Sequence, residues 1–270
     1  MNTAVSSTPL LPPSAQACIA PRQIGMAAVL AVAGMISVPL LMPYLLAIMP
    51  GLAAKIPLPL PLFVLLQMAQ AGAFLLLLAW AGLRLGYRFG LDAPYLRSWL
   101  QAGATPAQSP AWTLAIVLGL AVGVACIVID LALHGFAVTP ASSQGIPAPA
   151  AWRGLLASFY GGITEEIICR LFLVSVFVWV GARLQRSASP GAATYGAAIV
   201  AAAILFGVAH LPALAQAGSL TTGGITRTIG LNALCGIAFG WLFWRHGLEH
   251  AMTAHFSADI VLHVAAPLLA

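Results

Sequence analysis

Long apolar stretches separated by short polar segments make up most of the chain. A membrane-spanning helix needs about 20 apolar residues, and the seven stretches that approach this length lie at about residues 24–48, 60–83, 112–133, 154–182, 192–211, 227–244 and 248–268. The alternating pattern of a membrane barrel is absent, and an open sheet cannot exist in lipid. The pattern therefore predicts an all-α, multi-spanning bundle of about seven or eight helices, without an internal repeat.

Polar and proline-rich segments divide the predicted bundle. Residues 1–21 are rich in Ser, Thr, Pro and Ala, and no basic segment runs directly into an apolar core. We therefore expect a disordered tail there rather than a signal peptide. N-terminal transmembrane helices at 22–135 and a second helical core at 150–268 then form one membrane domain. Residues 136–150 are a Pro-rich loop, and residues 216–226 are predicted to form a Gly-rich loop.

Composition makes lipid the solvent of this chain. Hydrophobic residues account for 61% of it and charged residues for 6%, against about 25% charged residues in a soluble domain. The eleven Lys and Arg residues are scattered, with no run of three, so the basic stripe of a nucleic-acid-binding protein is absent. The four cysteines form no CxxC pair, and we predict that they are small buried side chains rather than disulfide or zinc ligands.

The loop charges predict an orientation. With the N-terminus in the cytoplasm, that side carries seven basic residues and the other side carries three: Lys55, Arg153 and Arg227. Cytoplasmic loops carry the excess of Lys and Arg. We therefore expect an integral protein of a bacterial inner membrane with a cytoplasmic N-terminus.

Four acidic residues fall inside predicted spans: Asp130, Glu165, Glu166 and Asp259. A charge at the centre of a spanning helix costs about 2.5–3.5 kcal/mol on insertion scales, and such residues are usually partnered and functional. Glu166 and Arg170 are four residues apart in the favourable acid-first order. Arg170 is therefore expected to neutralise Glu166 and to leave Glu165 free. A buried ion pair that only fixes helix packing would explain Glu166 and Arg170 but not Glu165.

Histidines follow on two later spans. Phe206 and His210 are four apart, as are His255 and Asp259, so each pair shares a helix face. Taken alone, His210 also fits an interfacial residue, and His255 with Asp259 also fits a polar pair that joins two helices. Taken together with Glu165, these residues can meet in one cavity of a helix bundle. Such a set supports hydrolysis, in which one group removes a proton from water and another stabilises the oxyanion.

The three motifs resemble those of the CPBP family. These motifs are Glu165-Glu166-x-x-x-Arg170, Phe206-x-x-x-His210 and His255-x-x-x-Asp259, and Gly236-x-x-x-Gly240-Trp241 before the last one also looks similar. The family covers the type II CAAX prenyl endopeptidases and the Abi-type, bacteriocin-processing membrane proteases. The resemblance extends over about residues 150–265, and each motif is weak alone whereas three in order are specific.

The resemblance implies intramembrane proteolysis. By similarity, Glu165 and His210 activate the water, His255 and Asp259 form the oxyanion pocket, and Glu166, Arg170 and Phe206 support them. The last motif of the family often ends in Asn, whereas Asp259 can donate a hydrogen bond only when protonated. Asp259 therefore either acts as a neutral donor or orients His255.

The resemblance leaves the metal open. A divalent ion such as zinc would take Glu165, His210 and His255 as ligands, but the HExxH motif of many zinc proteases is absent. The expected partners are membrane lipid and a protein or peptide substrate cleaved in a membrane-associated or C-terminal segment. Two alternatives stay open: a proton-coupled membrane transporter, since proton relays use intramembrane Glu, His and Asp, and a non-catalytic immunity or scaffold protein with the same fold.

Overall fold

The computed structural model describes residues 13–49, 51–100, 110–133, 149–216 and 220–269, with the backbone alone for residues 13–22. Within these ranges the chain is helical and has no strand. The helices are α1 (Pro13–Ile48), α2 (Leu52–Lys55), α3 (Leu60–Gly86), α4 (Pro94–Leu100), α5 (Trp112–Leu133), α6 (Ala151–Leu184), α7 (Ala192–Ala209), α8 (Leu211–Gln216), α9 (Thr222–His246) and α10 (Leu248–Leu269).

Seven segments of the described chain are long and apolar enough to cross a membrane, and α7 and α8 together form the fifth of them. This confirms the predicted all-α membrane bundle. The predicted Gly-rich loop at 216–226 is wrong in its second half, because α9 already begins at Thr222. Thr221 caps that helix by accepting a hydrogen bond from the backbone N–H of Gly224 at 3.0 Å, which stabilises a glycine-containing first turn.

The two remaining predicted segments extend beyond the described chain. The backbone is helical from Pro13, so residues 13–21 of the predicted disordered tail continue α1, and residues 1–12 lie outside the described residues. Proline fits the first turn of a helix, and the alanines that follow favour helix. The predicted Pro-rich loop at 136–150 lies outside the described residues up to residue 148.

The long helices alternate in direction, which gives the bundle two ends. The near end holds the starts of α1, α5, α7 and α10 and the ends of α3, α6 and α9. Contacts there include Tyr195 Oη donating to the Phe89 carbonyl at 3.0 Å. At the far end, the Tyr44 hydroxyl lies 3.2 Å from His263 Nδ1, and Arg227 forms an ion pair with Asp130.

Glycines at several helix crossings allow neighbouring helices to approach closely. A Cβ on Gly207 of α7 would lie 2.7 Å from the Cα of Ile229 in α9, and one on Gly236 of α9 would lie 2.7 Å from the Cβ of Ala203 in α7. Gly119 packs in the same way against the Ala254 carbonyl, which joins α5 to α10. Small residues at such crossings let helices associate in a membrane, and here they bring α6, α7, α9 and α10 around a common space.

Two of these helices contain wide, π-helical turns. In α6 they occupy Tyr160–Glu165 and Ile167–Val174, on either side of Glu166. In α10 the π-helical turn Ile260–Ala265 follows Asp259 directly. Such turns are rare and occur frequently at functional sites. They lie in this chain at the acidic residues that the sequence singled out.

Candidate active site

A cavity of about 690 Å³ occupies the far half of the bundle. Its walls come from the last turns of α1 and α5, the first half of α6, the junction of α7 and α8, the first half of α9 and the last half of α10. Five residues of the three sequence motifs line it together: Glu165, Phe206, His210, His255 and Asp259. The fold therefore brings side chains from three separate spans to one space.

Glu166 lies behind this wall and is fully buried. Its Oε1 accepts a hydrogen bond from His255 Nδ1 at 2.7 Å and lies 3.2 Å from Arg170 Nη1. Arg170 in turn is 1% exposed and places its guanidinium carbon 4.9 Å from the centre of the Phe206 ring. The expected pair of Glu166 and Arg170 is thus present, and both charges are held by partners.

Glu165 is placed differently, although it is the next residue in the chain. Its side chain is 25% exposed and lines the cavity, whereas the side chain of Glu166 is inaccessible. Glu165 Oε2 lies 3.8 Å from His255 Nε2, which is beyond hydrogen-bond distance. The carboxylate therefore faces the cavity with room for a water molecule or a substrate.

The His255 ring is oriented by three neighbours. Nδ1 carries the hydrogen that Glu166 accepts, the Phe239 ring stacks on it with centroids 4.8 Å apart, and the Phe206 ring meets it edge-on at 5.9 Å. Nε2 points to the other side, toward Glu165. Because Nδ1 is engaged, the chemistry of this ring is left to Nε2.

His210 stands at the junction of α7 and α8. Its Nδ1 lies 2.8 Å from the Phe206 carbonyl, and since a carbonyl can only accept, Nδ1 carries the hydrogen. In the neutral ring Nε2 is then the acceptor. The predicted span of 192–211 placed His210 at a helix end, but the apolar segment continues to Gln216 through α8. His210 therefore lies within the span, where Pro212 in the first turn of α8 marks the new helix.

Asp259 lies at the edge of this cluster of side chains, close to two histidine rings. Its Oδ1 is 3.7 Å from His255 Nε2 and 3.8 Å from His263 Nε2, both beyond hydrogen-bond distance. The sequence left open that Asp259 orients His255, but the structure places Glu166 on the orienting nitrogen. A Cβ on Gly161 would lie 2.5 Å from Asp259 Oδ2, so a larger residue at this position would displace the carboxylate.

The segment that carries most of this site matches a known protein family. Residues 147–261 match the family described as type II CAAX prenyl endopeptidase, Rce1-like. This segment comprises 115 of the 270 residues, and its match supports a similarity to the CPBP-family proteases. The matched residues extend from the approach to α6 into α10 and include the residues of all three motifs, whereas α1, α3 and α5 lie outside them. A search of curated proteins and a search of solved structures gave no match.

The candidate site contains two residues that the sequence motifs did not indicate. Phe239 and Gly161 belong to no charged or histidine motif, so hydropathy alone treats them as ordinary helix residues. One signal for Phe239 existed, because it lies within Gly236-x-x-x-Gly240, whose small residues mark a close helix crossing. Gly161 directly precedes the acidic motif within Tyr160–Glu165, and its role depends on the approach of α10, which a single sequence does not reveal.

Glu165, His210 and His255 are also the candidate ligands of a metal ion. Among the residues that the structure describes, no three His, Cys, Asp or Glu side chains are arranged to hold one. The hydrogen bonds of His255 Nδ1 to Glu166 and of His210 Nδ1 to the Phe206 carbonyl leave Nε2 of each ring as the nitrogen that could hold an ion. The ligand set of Glu165, His210 and His255 for a divalent ion therefore stays a prediction.

Proposed function

We propose that this protein is an intramembrane endopeptidase that hydrolyses a peptide bond in a membrane-associated or C-terminal segment of its substrate. The observation that carries the proposal is the contrast between the two adjacent glutamates. Glu166 is buried and neutralised by Arg170 and His255, whereas Glu165 faces a cavity that it shares with His210 and His255. A carboxylate without a close partner inside a membrane is energetically costly. A role as general base would explain why Glu165 is present.

The first chemical step uses the two acceptors of the cavity. A water molecule donates one hydrogen bond to Nε2 of neutral His210 and gives a proton to Glu165. Its oxygen attacks the carbonyl carbon of the scissile peptide bond as the proton moves to the carboxylate. Positioned acid–base groups of this kind contribute typically about 100- to 10,000-fold to rate.

The second step needs a donor for the oxyanion and a proton for the leaving group. His255 in its protonated form presents Nε2–H to the oxyanion, and Glu166 holds the other nitrogen at 2.7 Å. A protonated Asp259 supplies a second donor nearby. Glu165 then gives its proton to the amide nitrogen, and the C–N bond breaks to leave a carboxylic acid and an amine. The proton of the acid passes to the amine, so the products are a carboxylate and an ammonium group. Glu166 and Arg170 act as positioning residues in this scheme, since neither lines the cavity.

The walls of the cavity favour a substrate that is partly apolar. Leu41, Leu45 and Ile48 from α1 and Leu231 from α9 line it alongside the polar residues. Apolar lining with a few convergent polar groups is the usual character of a binding pocket. A segment that already lies in or at the bilayer reaches such a site directly.

We also propose the orientation that the charges favour. Seven basic residues lie toward the near end and three toward the far end, so the N-terminus is cytoplasmic by the positive-inside rule. The cavity then lies toward the non-cytoplasmic side. Fusions to the C-terminus, which follows α10 at the far end, test this. Alkaline phosphatase should be active there and green fluorescent protein dark, and the reverse result would overturn the orientation.

The reaction itself is tested with purified protein in detergent and a peptide substrate in ¹⁸O-labelled water. Hydrolysis by activated water places one ¹⁸O atom in the new carboxylate of the N-terminal product, which mass spectrometry detects. The Glu165→Gln protein should give no product. A carrier or a scaffold would leave the peptide intact in both cases, which would refute the proposed enzyme.

Removal of metal ions tests whether the mechanism needs one. Because the proposed steps use side chains only, dialysis against a strong chelator should leave the cleavage rate within about twofold, well below the roughly 100- to 10,000-fold of a lost catalytic base. Loss of activity on dialysis and its recovery on adding zinc would contradict the metal-free mechanism while leaving the peptidase in place.

A further inference from the structure

Three arginines meet at the near end of the bundle, away from the candidate active site. They are Arg88, Arg183 and Arg186, and together with small neighbouring residues they line a cavity of about 340 Å³. Arg88 belongs to the short helical turn Tyr87–Phe89 that follows α3. Arg183 lies in the last turn of α6, and Arg186 follows the end of that helix. Two separate parts of the chain therefore bring positive charge to one place.

The described part of the chain supplies no carboxylate to these three side chains. Its ion pairs involve other arginines, and the two acidic residues of the near end are already engaged: Asp92 by Arg97, and Glu249 by a backbone N–H. Arg88 is instead repelled by other arginines, of which Arg183 acts most strongly. Like charges that are held together repel one another at a cost in free energy. An anion from outside the chain would remove that cost.

Aromatic rings and an unusual backbone turn hold the guanidinium groups in place. The guanidinium carbon of Arg88 lies 4.5 Å from the centre of the Phe89 ring, and that of Arg183 lies 5.2 Å from the centre of the Trp179 ring. Arg186 has a φ of 49°, and among the described residues it is the one non-glycine residue with a positive φ. Glycine is the usual residue at such a position after a helix, because a side chain there is strained. A function of the Arg186 side chain would account for this strain.

The surroundings of the cavity indicate which anion it selects. Planar guanidinium groups match the oxygen atoms of a phosphate, which they bind through paired N–H donors. Next to the cavity, Val180 and Leu184 of α6 share a helix face with Arg183, and both are exposed, Leu184 to 80%. A soluble phosphate gains nothing from this apolar surface, whereas the acyl chains of a phospholipid pack on it. Basic pockets between spanning helices are known to bind anionic headgroups.

We propose that the cavity of Arg88, Arg183 and Arg186 binds the phosphate group of an anionic phospholipid, whose acyl chains lie along Val180 and Leu184. One headgroup then bridges the turn after α3 and the end of α6, so the bound lipid joins two helices of the bundle. Lipid binding does not depend on peptide hydrolysis, and either proposal can therefore fail alone.

The competing explanation is that these arginines only set the orientation of the chain. Cytoplasmic loops carry an excess of Lys and Arg for that reason alone, and every basic residue near the surface then attracts anionic lipid to a similar extent. A built site differs in one measurable respect. Arginines that line the cavity must contribute more to lipid binding than an arginine of the same end that does not line it.

The experiment measures lipid binding to the purified full chain in detergent by native mass spectrometry. The probes are phosphatidylglycerol, which is anionic, and phosphatidylcholine, whose choline cation cancels the charge of its phosphate. For the wild-type protein, we expect a Kd about 10- to 100-fold lower for phosphatidylglycerol, the range for hydrogen bonds to charged groups. Arg183→Gln should raise that Kd about fivefold, the contribution of one basic residue. The triple variant Arg88→Gln/Arg183→Gln/Arg186→Gln should raise it about 100-fold and abolish the preference.

Arg245→Gln is the matched control for Arg183→Gln. Both arginines are exposed at the near end, and both pack on a tryptophan, Arg245 with its guanidinium carbon 5.4 Å from the centre of the Trp244 ring. Arg245 does not line the cavity, so its variant should keep the wild-type Kd. Equal Kd values for Arg183→Gln and Arg245→Gln, or no preference for phosphatidylglycerol in the wild-type protein, would overturn the inference.

Thermal unfolding separates a lipid from a soluble phosphate. A ligand that binds only the folded protein stabilises it, so phosphatidylglycerol should raise the Tm of the wild-type protein and leave that of the triple variant unchanged. Glycerol 3-phosphate carries the phosphate without acyl chains and should give no rise at the same concentration. An equal rise with glycerol 3-phosphate would assign the cavity to a soluble phosphate and overturn the lipid site. A rise with phosphatidylglycerol that persists in the triple variant would overturn it as well.

Discussion

Two clusters of Glu and His on α10 use the same residue types in different ways. At the near end, the Glu249 carboxylate accepts a hydrogen bond from the Leu96 backbone N–H at 2.8 Å. His250 stacks on Trp112 with centroids 4.2 Å apart, and its two ring nitrogens contact the His246 carbonyl and the Ala111 N–H. Five and nine residues after His250, His255 and Asp259 line the cavity.

The difference lies in the partners rather than in the residue types. Both ring nitrogens of His250 are taken by the backbone, so this ring joins α10 to the segment before α5 and is left without a free nitrogen. His255 has one nitrogen held by a side chain and the other directed toward the cavity. A buried His or Glu in a membrane protein therefore indicates chemistry only when one of its polar atoms remains available to a substrate.

The largest effect is expected at Glu165. Glu165→Gln keeps the size of the side chain but cannot accept a proton, and we expect cleavage to fall at least about 1,000-fold, within the range for a lost catalytic base. His210→Ala should be similarly inactive. The matched control is Glu249→Gln in the near-end cluster, which should cleave the peptide at close to the wild-type rate. Full cleavage by Glu165→Gln would sink the mechanism.

His255 comes next in size. His255→Ala removes an oxyanion donor, and such a loss typically costs about 100- to 1,000-fold in kcat. The effect should appear in kcat rather than in KM, because the donor acts mainly in the transition state. His246→Ala is the control. His246 is the last residue of α9, and its ring lies at the near end against Trp241. Equal kcat values for His255→Ala and His246→Ala would contradict the assignment.

Arg170 is expected to act on stability before activity. Arg170→Leu leaves Glu166 buried without its cation, which costs about 3–5 kcal/mol for a broken buried pair. Expression and thermal unfolding in detergent should both fall. The double variant Glu166→Gln/Arg170→Leu removes the charge as well and should recover much of the stability, but not the activity, because His255 loses the carboxylate on Nδ1. A stable and fully active Arg170→Leu protein would refute the pairing.

The sequence predicts the bundle and most of the site for a physical reason. Lipid leaves few alternatives to helices of about 20 apolar residues, so the spans follow from hydropathy. Because charged residues inside those spans are rare, each of them can be interpreted individually. The i, i+4 spacing then pairs Glu166 with Arg170 before any coordinates are known.

What the sequence does not predict depends on contacts between helices. The hydrogen bond from His255 to Glu166 joins residues 89 positions apart, and hydropathy does not indicate the stacking of Phe239 on His255. The π-helical turns around Glu166 and after Asp259 have no sequence signal in the apolar pattern. Arg227 and Asp130 were each visible as charges, but their pairing across α5 and α9 required the fold.

The smallest effect is expected at Asp259, and it decides how this carboxyl works. Its Oδ1 lies 3.7 Å from His255 Nε2, too far for a hydrogen bond, while Glu166 already orients the ring. The proposed mechanism therefore assigns no orienting anion to this position and uses the side chain as a neutral donor. Asn has the same shape and donates through its amide. Asp259→Asn should keep kcat within about tenfold of wild type, whereas Asp259→Ala should lose about 100-fold, as expected for a missing oxyanion donor. Loss of most activity in Asp259→Asn, at unchanged thermal stability, would show that the negative charge itself is needed.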